Sequence, residues 1–519
     1  MQIALFDTTL RDGTQSEGLS LSVEDKIKIA RLLDGFGVRY VEGGYPGANP
    51  KDEEFFRRAS ELKLKQAKLT AFGSTRRTGK TAAADPNLQA LVKAATPAVA
   101  IFGKSWLLHV THVLKTTPEE NLAIISESVA FLKQHCQEVI FDAEHFFDGF
   151  RADRAYAMAA VRAAAQAGAD WIALCDTNGG NLPSAVAEIV REASKEIRVP
   201  LGIHAHNDGD LAVANSIAAV EAGCTMVQGT LNGWGERCGN ANLMSLIPAL
   251  QLKMGLDCIP RENMERLTEI SRTASEIANL RSRAHAPYVG SSAFAHKAGA
   301  HVAAVAKSPI TFEHVPPEAV GNSRRIVVSE LSGRGNIRVR ATELGVEVHG
   351  NEAELVARIK ELENQGYQFE AAEGSLELMM RRTQPGYSKP FDVLDVVVIS
   401  QRRSGRDMFV EATVKIRVGR EVSHVVAEGS GPVEAMDLAF HKALDHHFPL
   451  LRQIHLCDFK VRILDPESAT AAKTRVLIES NHASERWSTI GVSQNIIEAS
   501  CEALNDALEL PLLRAAAKS

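Results

Sequence analysis

None of the seven cysteines stands in a Cys-x-x-Cys pair, and no apolar run approaches the roughly 20 residues that cross a bilayer. An odd, dispersed set of cysteines excludes a disulfide framework and fits reduced thiols in a cytoplasmic protein. There is no excess of positive charge either. The 58 Lys and Arg residues face 64 Asp and Glu, a formal net charge of −6. That balance speaks against nucleic-acid and anionic-membrane partners, both of which favour basic patches. The opening Met1-Gln2-Ile3-Ala4-Leu5-Phe6-Asp7 has no basic stretch before its apolar residues, so no secretory signal is expected. What remains is an ordinary globular composition, 45% apolar and 24% charged, spread over 519 residues. One hydrophobic core does not serve that length, and two or three domains are expected.

Up to about residue 250, short apolar runs alternate with helix-like stretches. The runs are Ile3–Phe6, Tyr40–Val41, Leu69–Phe72, Val99–Phe102, Val139–Phe141, Trp171–Leu174, Leu201–His204 and Met226–Gly229. Helices are expected over Ser22–Phe36, Pro118–Cys136, Arg154–Ala167, Pro183–Ile197 and Leu211–Ala222, with stop signals at Gly37, Gly168 and Gly223. Eight such units predict an α/β fold, a (β/α)8 TIM barrel. The competing doubly wound sheet usually carries a Gly-rich phosphate loop after its first strand, where this chain has Asp7-Thr8-Thr9-Leu10-Arg11-Asp12-Gly13.

Beyond residue 260 the alternation stops. Residues 262–285 and Glu352–Glu370 read as helices, and Arg382–Pro390, with Pro385, Gly386 and Pro390, reads as a linker. Near the C-terminus, Glu434, Ala435, Ala439, Ala443 and Leu444 recur as Glu498, Ala499, Ala503, Ala507 and Leu508, each 64 positions on. β-rich sequence precedes both copies, at Ala412–Val418 and Thr474–Ser480. Two β-then-α units predict a pseudo-symmetric α+β domain with an internal repeat. The expected division is a barrel over 1–262, linker subdomains over 263–389, and a terminal domain over 390–519.

The sharpest chemical signal is His204-Ala205-His206-Asn207-Asp208. Residues i and i+2 of a strand share a face, so both imidazoles project from the end of the seventh strand. They make half of a divalent metal site, or else a hydrogen-bonded structural pair. Arg11-Asp12-Gly13 follows the first strand, which barrel closure sets against the eighth. Asp12 can therefore complete the metal's ligands, and Arg11 offers a positive fork to a carboxylate or oxyanion. The bland alternative is an Arg–Asp pair closing a turn. After the eighth strand comes Gly235-Glu236-Arg237-Cys238-Gly239-Asn240, where Asn240 offers a neutral oxygen ligand. Glu144 ends the fifth strand as a possible acid or base, and Thr177, after the sixth, can donate to a substrate carboxylate. Loop capping is the alternative for both.

Taken together, Arg11-Asp12-Gly13-Thr14-Gln15, His204-Ala205-His206-Asn207-Asp208 and Gly235–Ala241 resemble the DRE-type TIM-barrel metallolyases. That family includes the 2-isopropylmalate, homocitrate and citramalate synthases, and the resemblance covers the whole chain. It implies a divalent ion (Mg2+, Mn2+ or Zn2+) on Asp12, His204, His206 and Asn240. It places a keto acid near Arg11, Gln15 and Thr177, and acid–base work on Glu144 and His301. Val41–Pro50, Phe72–Arg77 and Phe294–His301 are most similar to members that join acetyl-CoA to pyruvate in isoleucine biosynthesis. The terminal repeat resembles the family's regulatory domain, which implies a homodimer and feedback inhibition by isoleucine or leucine. Two departures stand out. His301 is followed by Val302-Ala303-Ala304 where relatives often have His-x-Asp-Gly, and Phe312 stands where they commonly have tyrosine.

The implied reaction is a Claisen condensation by an acyltransferase, with pyruvate as the keto acid. 2-Ketoisovalerate is the second choice, and the homocitrate-type substrate the third. An acyl-CoA lyase or keto-acid aldolase is the alternative from another class, but such enzymes generally lack the terminal repeat.

Overall fold

The computed structural model describes residues 2–59, 62–348, 350–402, 404–405, 407–483 and 485–517. Its contacts divide the chain into two compact units. The first holds residues 1–294 and 315–323, the second 295–314 and 324–519.

Eight parallel strands close the first unit's barrel: β1 (Ala4–Asp7), β2 (Tyr40–Gly44), β3 (Lys68–Ser74), β4 (Ala98–Lys104), β5 (Glu138–Glu144), β6 (Trp171–Asp176), β7 (Leu201–Ala205) and β8 (Met226–Gly229). Closure pairs Ala4 with Met226 and Asp7 with Gly229, as the alternation predicted. The helices start where local chemistry begins them. Ser22 and Asp25 form a reciprocal cap on Val23–Phe36, and Pro118 and Pro183 open two others.

Even-numbered residues of β2 and β4–β8 point inward, among them Tyr40, Ala98, Ala100, Ile140 and Met226; with Ala4, Phe6 and Phe72 they form one inner cluster. Odd neighbours such as Leu5, Val41 and Val139 join the helices in the larger outer core. Toward the C-terminal ends the inward positions turn polar. Glu42, Asp142, His204 and Gln228 are all buried there. A TIM barrel builds its chemistry at that end.

The helix expected over 262–285 is shorter than the sequence suggested. A 3-10 segment, Arg261–Arg266, leads into Leu267–Ile277. Asn279 then takes a left-handed φ of 53°, and the chain leaves the helix. Likewise Glu352–Gln365 stops where Gly366 adopts φ 115°.

The second unit carries two antiparallel three-stranded sheets. Asp392–Gln401, Phe409–Val418 and Glu421–Gly429 form one, and His455–Ile463, Thr474–His482 and Glu485–Ser493 the other. Helices Pro432–Leu444 and Ile496–Ala516 each follow their own sheet, so the repeat read from the sequence is real. The repeated alanines explain it. Ala435, Ala439, Ala499 and Ala503 are fully buried, and their small side chains let each helix approach its sheet. A Cβ on Gly429 would lie 2.6 Å from the Ala435 nitrogen, and one on Gly491 2.0 Å from the Ala499 oxygen. Leu378 and Phe391 belong to the core these helices build. Among the described residues no helix is long and apolar enough to cross a membrane.

Candidate metal and active site

Asp12, just past β1, meets His204 of β7 and His206, just past that strand, at the barrel mouth. Its Oδ2 lies 3.2 Å from His204 Nε2 and 3.9 Å from His206 Nε2. The two Nε2 atoms are 3.3 Å apart. All three residues are buried, at 2%, 6% and 7% exposure. Two strands from opposite ends of the barrel sequence thus deliver three ligand atoms within 4.8 Å of one another.

Asn240 arrives by its backbone. An isolated bridge pairs it with His206, and its Nδ2 donates to the Trp234 carbonyl at 3.2 Å. The loop must be glycine-rich to manage this. A Cβ on Gly235 would sit 2.1 Å from Asn240 Nδ2, and one on Gly239 2.0 Å from the Gly233 oxygen. The bidentate pair of Arg237 with Asp208, at 2.7 and 2.9 Å, ties this loop to the one after His206.

The donor set fits a divalent cation. Asp12 Oδ1, His206 Nδ1 and Asn240 Oδ1 are buried and have no hydrogen-bond partner among the described residues. A carboxylate oxygen left without a partner beside two converging imidazole nitrogens is costly unless something polar or charged binds there. Electrostatics agrees. Burial alone would raise the Asp12 carboxyl, but Arg11 and His204 hold it well below the usual carboxylate range. Burial, then the neighbouring His204, pushes His206 down to about 3, which leaves its imidazole neutral. Burial opposes a charge on His204 as well, but Asp12 outweighs it and raises the ring above its ordinary value.

Further supports lie behind these residues. His204 Nδ1 donates to Gln228 Oε1 at 2.8 Å, and Gln228 Nε2 donates to Asp142 at 2.9 Å. Arg11 Nε donates to Glu42 at 2.5 Å, and its guanidinium lies 3.8 Å over the Phe72 ring. Burial lifts Glu42 to about 7 even against the Arg11 charge.

Arg11, Asp12, Gln15, Glu144, Thr177, His204 and His206 all line one cavity of about 480 Å3. Glu144 is ion-paired to Lys104. Thr177 Oγ1 accepts from the His145 nitrogen at 2.9 Å, which leaves its own hydroxyl hydrogen for a ligand. His301 is not among the lining residues. It belongs to the second unit, on the helix Gly299–Lys307, where its ring stacks on Phe312 with centroids 4.1 Å apart. Glu42, Lys104, Asp142 and Gln228 were not singled out from the sequence. Their signal was present: each is a polar side chain at an inward position of an otherwise apolar strand.

Known proteins resemble the chain along its length. The HMGL-like family matches residues 2–274. A homocitrate synthase post-HMGL domain-like family matches 288–367, and the LeuA allosteric (dimerisation) domain 370–512. An (R)-citramalate synthase of Aquifex aeolicus (strain VF5) is 51% identical, over 99% of this chain and 98% of its own. One from Geobacter sulfurreducens is 50% identical, over 98% and 97%. A 2-isopropylmalate synthase of Methanocaldococcus jannaschii is 31% identical, over 98% and 94%.

Proposed function

Since this chain belongs to the HMGL-like family, and within it to the (R)-citramalate synthases, we propose that it joins acetyl-CoA to pyruvate, giving (R)-citramalate and free CoA. The observation that carries this reading is the convergence of Asp12, His204 and His206, with the unpartnered Asn240 oxygen brought beside His206.

A divalent ion on Asp12, His204, His206 and Asn240 supplies Lewis acidity toward the carbonyl of a 2-keto acid. Nitrogen and oxygen donors in this mixture suit Zn2+, Mn2+ and Mg2+ to different degrees, and chelation followed by re-addition of each distinguishes them. Arg11, immobilised by Glu42 and Phe72, offers its remaining N–H groups where the keto oxygen gains charge. Gln15 and the Thr177 hydroxyl face the same substrate. The Glu144 carboxylate takes a proton from the acetyl methyl group. The methyl carbon then bonds to the keto carbon, whose oxygen receives the electron pair and a proton. Water cleaves the thioester, and CoA leaves as the thiol. A second proton-transfer role for His301 rests on the family resemblance.

The keto-acid choice is supported by similarity, because one or two methyl groups are worth only about 1–3 kcal/mol of discrimination. The (R)-citramalate synthases match at 44–51% identity, against 31% for 2-isopropylmalate synthases. An assay of thiol release from acetyl-CoA against a panel of keto acids tests it. Pyruvate should give the highest kcat/KM, and release with 2-ketoisovalerate but not pyruvate overturns the reading.

We also assign a homodimer to the chain. Its support is the terminal family match and the exposed apolar side chains Val397, Ile399, Val422 and Val426 on the first sheet of the second unit. Isoleucine or leucine is the proposed inhibitor at that domain. Calorimetric titration of the full chain with each amino acid checks this.

A further inference from the structure

A second cavity, of about 590 Å3, opens on the same barrel face. The two are neighbours along the chain. Thr14 and Gln15 line the first and Ser16 and Glu17 the second, while Glu236 and Arg237 line the first and Trp234 and Asn242 the second. The segments after β1 and β8 therefore form a shared wall.

Their charges differ sharply. In the first cavity the carboxylates Asp12, Asp52, Asp142, Glu144 and Glu236 outnumber Arg11 and Arg237, which disfavours a polyanion there. The second carries Arg272, Arg281, Arg283 and His285 against Glu17 alone. Among the described residues, none of these three guanidiniums has a carboxylate partner. Unpaired arginines gathered in a concave site are a recurring device for phosphate, which matches the guanidinium fork.

The scaffold beneath them is fixed. Ser271 Oγ donates to Asn232 Oδ1 at 2.6 Å, and Asn232 Nδ2 donates to the Ser271 carbonyl at 3.0 Å and to Ser275 Oγ at 3.1 Å. The loop bearing Arg281 and Arg283 folds back on itself through Ser292 N to the Ala284 oxygen at 2.8 Å. Asn322 Nδ2 pins it further, to the Tyr288 and Gly290 carbonyls at 2.8 and 3.0 Å. A Cβ on Gly290 would lie 2.2 Å from the Ala284 oxygen, so the close crossing depends on that glycine.

We propose that this cavity binds the phosphorylated nucleotide end of CoA, with Arg272, Arg281 and Arg283 on its 3′-phosphate and pyrophosphate. The uncharged pantetheine arm then crosses the shared wall and carries the thioester to the first cavity. This inference rests on the acetyl-CoA reading above.

The test pairs an Arg281→Ala/Arg283→Ala double variant, both positions being exposed, with two thioesters. Its KM for acetyl-CoA should rise by roughly tenfold or more, while kcat and the KM for pyruvate stay unchanged. With acetyl-pantetheine, which lacks the nucleotide, variant and wild type should be equal. An unchanged acetyl-CoA KM, or the same penalty with acetyl-pantetheine, overturns the assignment while leaving the enzyme's reaction intact. Should the wild type release no thiol with any keto acid, the reaction itself is refuted. Calorimetric binding of adenosine 3′,5′-bisphosphate then decides the cavity: loss in the variant supports the site, and equal binding in both proteins overturns it.

Discussion

The His204 ring donates from Nδ1 to the side-chain oxygen of Gln228, 2.8 Å away on the neighbouring strand. Because Gln228 itself donates to Asp142, its oxygen is committed to the histidine. A hydrogen of His204 is therefore fixed on Nδ1, and the ring is held with its Nε2 turned toward Asp12 and His206.

Gln228→Leu should consequently weaken metal binding by roughly 10–100-fold, the usual cost of losing such a support. Titration of the chelated variant with Mn2+ or Zn2+ measures it. Wild-type affinity would show that the ring needs no orienting partner.

Gly235→Ala should act on the same site from the other side. Its Cβ would come within 2.1 Å of Asn240 Nδ2, so the amide must swing away and take its oxygen with it. Metal affinity should fall roughly tenfold or more, while the thermal unfolding midpoint shows the barrel still folded. An unaltered affinity would mean that Asn240 is not a ligand.

Glu144→Gln keeps the shape of the side chain but removes the carboxylate. Turnover should drop by roughly 10²–10⁴, with the KM for pyruvate little changed. His301→Ala is expected to lose turnover in the same way, and full activity in either variant removes that residue from the proton-transfer assignment.

Much of this site was legible in the sequence because barrel strands encode direction. Alternation shows which residues face inward, and chain order shows that β1 closes on β8, so Asp12 and His204 could be paired before any coordinates. The supporting residues were harder. Gln228 lies 24 positions from His204, and the pairing of β7 with β8 sets the two opposite each other. The apolar run marks only Tyr40–Val41, yet Glu42-Gly43-Gly44 completes β2. A Cβ on Gly43 would strike the Phe55 ring at 2.3 Å, so that glycine reports helix packing on the strand. His301 and Phe312 are 11 positions apart and stack as rings, a contact no periodicity announces.

Protonation of the second unit provides a test independent of catalysis. Glu363 accepts a hydrogen bond from the Glu330 nitrogen at 2.8 Å, and burial, reinforced by the Glu330 carboxyl, lifts it to about 7. The folded state therefore holds a proton that the unfolded chain has already released, across the interval from the ordinary glutamate value up to about 7. In that interval stability falls as pH rises, because folding binds the proton. Above it, the native state bears the full cost of a charged Glu363 beside Glu330. Glu363→Gln removes that cost, so the variant should unfold at higher temperature than wild type at pH 8, and the difference should vanish near pH 4. A difference independent of pH would mean that the substitution acts through packing and not through the carboxyl proton.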